Sequence, residues 1–430
     1  MALSLVGTAA GEALPICRRD DGSIHLVAER PEPEARETAE HAWEPADSPV
    51  LPEEVNGVLK PLAEATMLPS RAYTDAMVFA FERRQWFAQD WMCVGRTSDA
   101  ATPGASFVAP VGPAGVIVLR GDDGILRAFH NVCSHRGVTL LDETPTERLG
   151  TACPALKKIQ CPYHAWSYDL RGRLVRAPFT QDLVGFDKDA HGLRPVRLEA
   201  FGGFVFINLG PHGPSLHDWL DDLPAQFDGV PLETLELGHR GSYVVRANWK
   251  LLMENFAESY HFGAVHPQLQ RKTPGEQAES LLSRGPWQGG WMPLAPGMET
   301  VSLDGRRHGR TLLRKEGAQP DGVLDYVLFP NLFLSLQPDY LLAYRLVPVS
   351  FEETRVTFDV LFDGASKKAG RFDANDVTDF WHLTNEQDFA ICERQQVGVA
   401  SPGYVPGRYT PVEEGVYEFD KIVAERYASP

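Results

Sequence analysis

Cysteine is scarce in this chain, six in 430 residues, which is too few for a disulfide scaffold. Positive charge is also in deficit: 41 Lys and Arg stand against 58 Asp and Glu, a formal net charge of −17. That deficit argues against nucleic acid and anionic membranes as partners, because a basic face supplies most of the affinity for either. No run approaches the roughly 18 consecutive apolar residues of a membrane span, so no transmembrane helix is expected. The first residues, Met-Ala-Leu-Ser-Leu-Val-Gly, lack a basic start followed by a long apolar run. A secretory signal is therefore not expected, and the expected location is cytoplasmic. What is present is an ordinary globular composition, 43% hydrophobic and 23% charged. The length suits two or three domains with a substantial core.

The charge is uneven. Between Glu29 and Glu54 nine acidic residues face two Arg, so this short stretch carries 7 of the 17 excess negative charges. It is rich in Pro, Ala and Glu, and residues 1–66 read as a solvated acidic arm outside the fold. Residues 67–90 contain the run from Ala76 to Phe87, whose apolar spacing predicts a helix that packs on the C-terminal domain. Residues 91–209 break into short strand-like pieces separated by Pro, Gly and Asp turns, the pattern of a small antiparallel β domain. Residues 210–430 mix helices with long alternating strands. Tyr340, Leu342, Tyr344 and Leu346 alternate, as do Val356, Phe358, Val360 and Phe362. The overall class is α+β, with an antiparallel sheet in the second domain.

Two Cys/His pairs lie in the β domain, Cys133-Ser-His135 and Cys161-Pro-Tyr-His164. A zinc finger usually supplies both cysteines before both histidines. The interleaved order here suits a [2Fe–2S] cluster in which cysteines hold one iron and histidines the other. A structural zinc site or chance cysteines are the bland alternatives. The full string from Cys161 to Leu174 resembles the second ligand loop of Rieske domains, as Cys133-Ser-His-Arg-Gly137 resembles the first. Twenty-five residues separate His135 from Cys161, longer than is usual for that family, so an insertion is expected around Thr144–Lys158. Within it Cys153 lacks a histidine three residues later and is read as a non-ligand. Respiratory Rieske proteins add a cysteine to each loop; Val138 and Tyr163 stand there instead, which implies a low-potential, oxygenase-type cluster.

The second constellation is Glu258-x-x-His261-x4-His266. Five residues on a regular helix turn about 140°, so the two histidines cannot share a face unless the helix breaks. Gly263 and Pro267 allow a break between them. Two histidines and one carboxylate make the facial triad of non-haem Fe(II) oxygenases. Asp388, on an expected C-terminal helix, is the chosen carboxylate, with Glu386 its adjacent competitor. Asn255 is a candidate for lining the iron pocket or orienting a water, or else a capping or core amide. Phe256, Phe262, Trp287 and Trp291 are candidates for surrounding a substrate, with ordinary core packing as the favoured alternative; Arg306, Arg307, His308 and Arg310 are candidates for a lid, a carboxylate anchor or a docking patch, with a plain solvated loop favoured over these.

From about Leu68 to the C-terminus the chain resembles the α subunits of Rieske-type, ring-hydroxylating-dioxygenase-like oxygenases, with both motifs in the family's order. The resemblance implies an all-β Rieske domain followed by a helix-grip (START-like) catalytic domain, holding a [2Fe–2S] cluster at Cys133, His135, Cys161 and His164. It further implies a mononuclear Fe(II) at His261, His266 and Asp388. It implies a homotrimer in which Glu258, by motif position, links a cluster histidine of one subunit to His261 of the next; many relatives carry Asp there. No flavin or nicotinamide fingerprint is evident, so an NAD(P)H-dependent reductase, with or without a ferredoxin, is the expected partner. The substrates implied are O2 and a small organic molecule. Aromatic ring hydroxylation and oxidative N-demethylation of a betaine-like quaternary amine stand near parity, and a Rieske-type electron carrier without oxygenase activity is the alternative.

Overall fold

The computed structural model describes residues 47–150, 155–283, 285–312, 322–368 and 373–429. Helix α1 (Ala76–Gln85) begins after Asp75, whose carboxylate accepts the Met77 amide, and buries Val78, Phe79 and Glu82. Strands β1 (Met92–Arg96), β2 (Ser106–Ala109), β3 (Val116–Arg120) and β4 (Leu126–His130) follow, each four or five residues long. Next come three very short strands, β5 (Ile159–Gln160), β6 (Ser167–Tyr168) and β7 (Leu174–Arg176), and then β8 (Pro195–Phe201) and β9 (Phe204–Asn208). They form a six-stranded antiparallel sheet in the order β1-β9-β8-β4-β3-β2 and a three-stranded sheet in the order β5-β6-β7. A separate apolar core of Ile117, Leu119, Phe129, Trp166 and Tyr168 lies beneath the two Cys/His loops.

The second domain is a seven-stranded antiparallel sheet in the order β10-β16-β15-β14-β13-β12-β11. Its strands are β10 (Glu236–Val245), β11 (Glu279–Leu282), β12 (Trp287–Pro293), β13 (Gly322–Leu328), β14 (Leu332–Leu336), β15 (Leu341–Ser350) and β16 (Glu353–Phe362). Between β10 and β11 lie α2 (Trp249–Phe256), α3 (Phe262–Val265) and α4 (Pro267–Gln270); after the sheet come α5 (Asn375–Val399) and α6 (Glu414–Ala428). The alternating residues Tyr340, Leu342, Tyr344 and Leu346 join Val356, Phe358, Val360 and Phe362 in one buried core with α2 and α5. Among the described residues no helix is long and apolar enough to cross a membrane.

α1 is tied to α2 through a buried carboxylate: Glu82 accepts from Lys250 Nζ at 2.5 Å, from Trp249 Nε1 at 2.8 Å and from the Tyr427 hydroxyl. The two domains are clasped by charge. Arg240 of β10 donates to Asp99 of the first domain at 2.9 Å and to Asp359 of β16 at 2.6 Å, and Arg345 reaches Asp359 at 3.0 Å. The long interval before Cys161 contributes here, because Arg240 also donates to the Leu149 carbonyl at 3.0 Å. Cys153 lies outside the described residues.

One expectation is corrected. The acidic arm was expected to stay outside the fold as far as residue 66; residues 1–46 lie outside the described residues, but from Asp47 the chain is packed. Val50, Val55, Val58 and Ala65 are buried, and Tyr417 of α6 donates to the Lys60 carbonyl at 2.9 Å. Charge counted over the whole stretch hid a short apolar face.

Candidate metal centres and the cavity between sheet and helices

The cluster loops are two copies of one backbone device. Cys133 N–H donates to the Val138 carbonyl at 2.8 Å and Gly137 N–H returns to the Cys133 carbonyl at 3.0 Å. Cys161 N–H donates to the Trp166 carbonyl at 2.7 Å and Ala165 N–H returns to the Cys161 carbonyl at 3.2 Å. Each loop closes on a left-handed residue at the same place, Gly137 (φ 71°) and Ala165 (φ 59°). The result aims two buried cysteines inward and brings the His135 and His164 rings to 4.8 Å between centroids. Trp166 stacks on His135 at 4.6 Å. His164 Nδ1 is sealed from solvent and without a hydrogen-bond partner, the state of a nitrogen reserved for a metal. Two thiols and two imidazoles so placed fit a [2Fe–2S] group with Cys on one iron and His on the other. The Tyr168 hydroxyl, which no sequence signal singled out, lies 3.2 Å from Cys133 Sγ and 2.9 Å from Ser134 Oγ.

At the second centre the backbone differs from the sequence expectation. One helix was expected to carry Glu258 and His261 and to break before His266. Instead α2, begun by Asn248 capping Lys250 N, ends at Phe256, and Glu258 and His261 sit in the turn beyond it. Glu258 closes that turn by accepting the His261 amide at 3.1 Å and His261 Nδ1 at 2.5 Å. A second break falls at His266 itself (φ −123°, ψ 63°), where α4 restarts on Pro267. The two breaks turn both imidazoles toward α5. His266 Nε2 is 2.7 Å and His261 Nε2 3.3 Å from Asp388 Oδ1. One ligand atom from each of the three residues lies within 4.8 Å of the others. Glu386 points away: it is exposed and meets His382 at 3.4 Å.

Sequence reasoning missed Gln387, whose Oε1 accepts His266 Nδ1–H at 2.8 Å and is itself held by Gln268 Nε2 at 2.6 Å. Its adjacency to Asp388 was the available signal. With both Nδ1 atoms engaged, His261 and His266 each present Nε2 to the same point, as metal-binding histidines do. The electrostatics agree. Burial disfavours a charged His261, yet the Asp388 and Glu258 hydrogen bonds raise its pKa to about 9. Burial likewise works to raise Asp388, but the two histidines hold its carboxyl below the usual range. Such a donor set is shaped for a cation, and two imidazoles with one carboxylate fit iron with open positions.

The triad opens on a cavity of about 340 Å³ between the helices and the sheet. Asn255, Phe256 and Phe262 line it, with Phe256 stacked on Phe333 at 4.4 Å. Trp287 does not line it; it turns to the other face of the sheet, where Nε1 donates to Asp222 at 2.9 Å. Trp291 is also absent from the described lining. The basic segment does not serve as a carboxylate anchor here: Arg310 is buried against Asp339 and Asp376, Arg306 pairs with Glu299, and His308 with Asp304.

Comparison with known proteins places this geometry. Residues 90–187 match the model of the Rieske [2Fe-2S] domain, and residues 232–429 match that of the ring hydroxylating alpha subunit (catalytic domain). The glycine betaine monooxygenase oxygenase subunit of Chromohalobacter salexigens is 31% identical over 382 residues, covering 82% of this chain and 84% of that one. The carnitine monooxygenase oxygenase subunit of Escherichia coli is 39% identical over 206 residues, 47% of this chain and 53% of that one. A solved quaternary ammonium Rieske monooxygenase superposes with a TM-score of 0.70 at 26% identity, covering 85% of this chain and 96% of that one. Naphthalene 1,2-dioxygenase from Rhodococcus, at 19% identity and a TM-score of 0.67 over 88% and 97% of the two chains, shares the fold.

Proposed function

Since the chain belongs to the alpha, terminal oxygenase subunits of the Rieske non-haem iron oxygenases, we propose that it hydroxylates an N-methyl carbon of a small quaternary ammonium compound. Its cofactors are a Rieske [2Fe–2S] cluster and a mononuclear iron. Electrons come from an NAD(P)H-dependent reductase, with or without a ferredoxin, and the working form is a homotrimer.

One observation carries the choice of substrate. The cavity walls are aromatic (Phe256, Phe333, Tyr344, Trp381, Phe389) and carboxylate-bearing, and no Lys or Arg is among the described residues lining them. An aromatic carboxylate would find no Lys or Arg partner there, whereas an ammonium group gains from both the aromatic faces and the carboxylates. The glycine betaine and carnitine relatives, named for quaternary ammonium substrates, support the same substrate class.

When bound, the metals supply reductive activation of O2, with electrons delivered one at a time. His261, His266 and Asp388 would hold the mononuclear iron, and Cys133, His135, Cys161 and His164 the cluster. Gln387 and Glu258 fix the two imidazoles by accepting their Nδ1 protons. Glu258 also stands as the link from His261 to the cluster histidine of the neighbouring subunit. Asn255 lines the same cavity beside the triad. In the overall balance one oxygen of O2 enters the N-methyl C–H bond, and two electrons and two protons reduce the other to water. The hydroxymethyl ammonium product then releases formaldehyde, a proton and the tertiary amine.

The test is substrate-dependent O2 uptake with a surrogate reductase, run over N-methylated ammonium compounds and aromatic acids. Uptake with formaldehyde released in equal amount is expected from the former. Uptake with aromatic acids alone would sink the reading, and none with any compound from protein loaded with both metals would favour the electron carrier.

A further inference from the structure

The sheet wall of the cavity carries two polar atoms that nothing in the described structure satisfies. Asp325 of β13 and Gln288 of β12 both line the cavity. Asp325 Oδ1 and Gln288 Nε2 are each sealed from solvent and without a hydrogen-bond partner. Burying an unpaired carboxylate oxygen and an unpaired amide donor is costly, and a site that tolerates both is built for a ligand that completes them. The two do not complete one another, although their strands are adjacent and antiparallel and Asp325 is paired in register with Gly290, two residues beyond Gln288.

The rest of the wall holds Asp325 ready. Ser335, its register partner on β14, acts to lower the pKa of that carboxyl group and accepts from Gln337 Nε2 at 2.7 Å. Burial nevertheless pushes the Asp325 pKa up to about 7, against the lowering by Ser335, which measures how little positive charge faces it. Opposite Asp325 the side-chain position is empty by sequence. A Cβ placed on Gly290 would meet only the Glu279 carbonyl oxygen, at 3.5 Å, so the missing side chain leaves space beside the carboxylate rather than relieving a clash. The triad stands on the helical wall of the same cavity.

We infer that Asp325 is the counter-ion of the substrate's ammonium group and that Gln288 Nε2 donates to an acceptor oxygen elsewhere on the substrate. The inference rests on the reading above and adds the residues that select the substrate. Such a site takes a small cation carrying an oxygen function and rejects its uncharged carbon isostere. Asp325 and Gln288 are binding and positioning residues, and the triad is left as it is by changing them.

The test is calorimetric titration of the full-length, metal-loaded protein, which reads binding without turnover. The probes are choline and glycine betaine, their carbon isosteres 3,3-dimethyl-1-butanol and 3,3-dimethylbutyrate, in which a neutral carbon replaces the ammonium nitrogen, and tetramethylammonium, which has no oxygen. Wild-type protein is expected to prefer each cation over its isostere by about tenfold or more, the scale of a hydrogen-bonded or paired charge. Asp325→Asn should abolish that preference with the cluster spectrum unchanged. Gln288→Leu should weaken choline and glycine betaine about tenfold and leave tetramethylammonium unaffected. Gly290→Ala, which the fold accommodates, should weaken all three trimethylammonium probes, so the idea stays exposed even if Asp325→Asn proves insoluble. Equal binding of cation and isostere by wild type, no binding of any cation, or a preference that survives Asp325→Asn overturns the assignment. Formaldehyde-releasing turnover that persists alongside such a result would leave the proposed reaction standing and remove only Asp325. Turnover of aromatic acids alone would remove the reaction itself.

Discussion

The cluster tip and the iron pocket solve the problem of gathering ligands by opposite means. In the tip, all four proposed ligands come from the 32 residues from Cys133 to His164. Two backbone-closed turns of the same design present them, and His135 is exposed to solvent. In the pocket, Asp388 is 122 residues from His266, and the ring orientations are held by side chains: Glu258 on His261, Gln387 on His266, Gln268 on Gln387. On the proposed function the tip receives electrons from another molecule and needs exposure, which backbone hydrogen bonds tolerate. The pocket needs an enclosed space for chemistry, and buried side-chain networks hold only where water is kept out.

If the two centres are independently built, removing a ligand from one should leave the other loaded. Cys161→Ser is expected to abolish the brown chromophore and drop iron from about three to about one per chain, with all O2-dependent turnover lost. His266→Ala should leave the visible spectrum and the electron paramagnetic signal intact while iron falls to about two per chain, again without turnover. Loss of the mononuclear iron in the cysteine variant would show that the pocket depends on the tip for its shape, and the comparison would break. Metal analysis and spectra of both variants decide it.

A smaller effect is expected at Glu258, the proposed link between the two centres. Glu258→Gln keeps an acceptor for His261 Nδ1–H but removes the charge. Both metals should stay bound, and coupled turnover should fall by ~10–100-fold, the range seen when a partner of a metal-binding histidine is changed. If Glu258 acts between the centres, as proposed, the loss should appear in kcat with KM little altered. Near-normal coupled activity would remove Glu258 from the electron path and leave it as a turn-closing carboxylate.

The same contrast explains what could be read in the sequence. Cys133, His135, Cys161 and His164 were legible because the loop geometry is written in contiguous residues. His261 and His266 were legible as a string, but the backbone that aims them was not: the end of α2 at Phe256 and the break at His266 depend on packing against α5. Asp388 was reachable through its neighbours, while Gln387 offered only its adjacency to Asp388 and nothing that shows it reaching across to His266. Asp325 and Gln288 read as ordinary strand residues, and only the sheet register puts both on the cavity wall. The packed segment from Asp47 was misread because Val50, Val55 and Val58 are diluted among acidic residues in any charge count. The clasp of Asp99, Arg240 and Asp359 joins residues of two domains, and no spacing rule reaches across such intervals.

The smallest predicted effect tests whether the two cluster loops are equivalent. Gly137 and Ala165 hold the same left-handed position, one as glycine and one as alanine. A Cβ on Gly137 would meet nothing within 4 Å, so Gly137→Ala asks only for backbone strain. That change should cost ~1 kcal/mol of stability and leave the cluster bound. Ala165→Gly relieves the same strain but loosens the unfolded chain, and the two terms nearly cancel, so its stability should stay within ~0.5 kcal/mol of the wild type. Denaturant unfolding of the metal-loaded protein, followed at the cluster absorption band, measures both. If Gly137→Ala instead loses the cluster, the first loop is held by the glycine itself and not by the hydrogen bonds it shares with the second. The backbone would then have two designs at the tip where its geometry shows one.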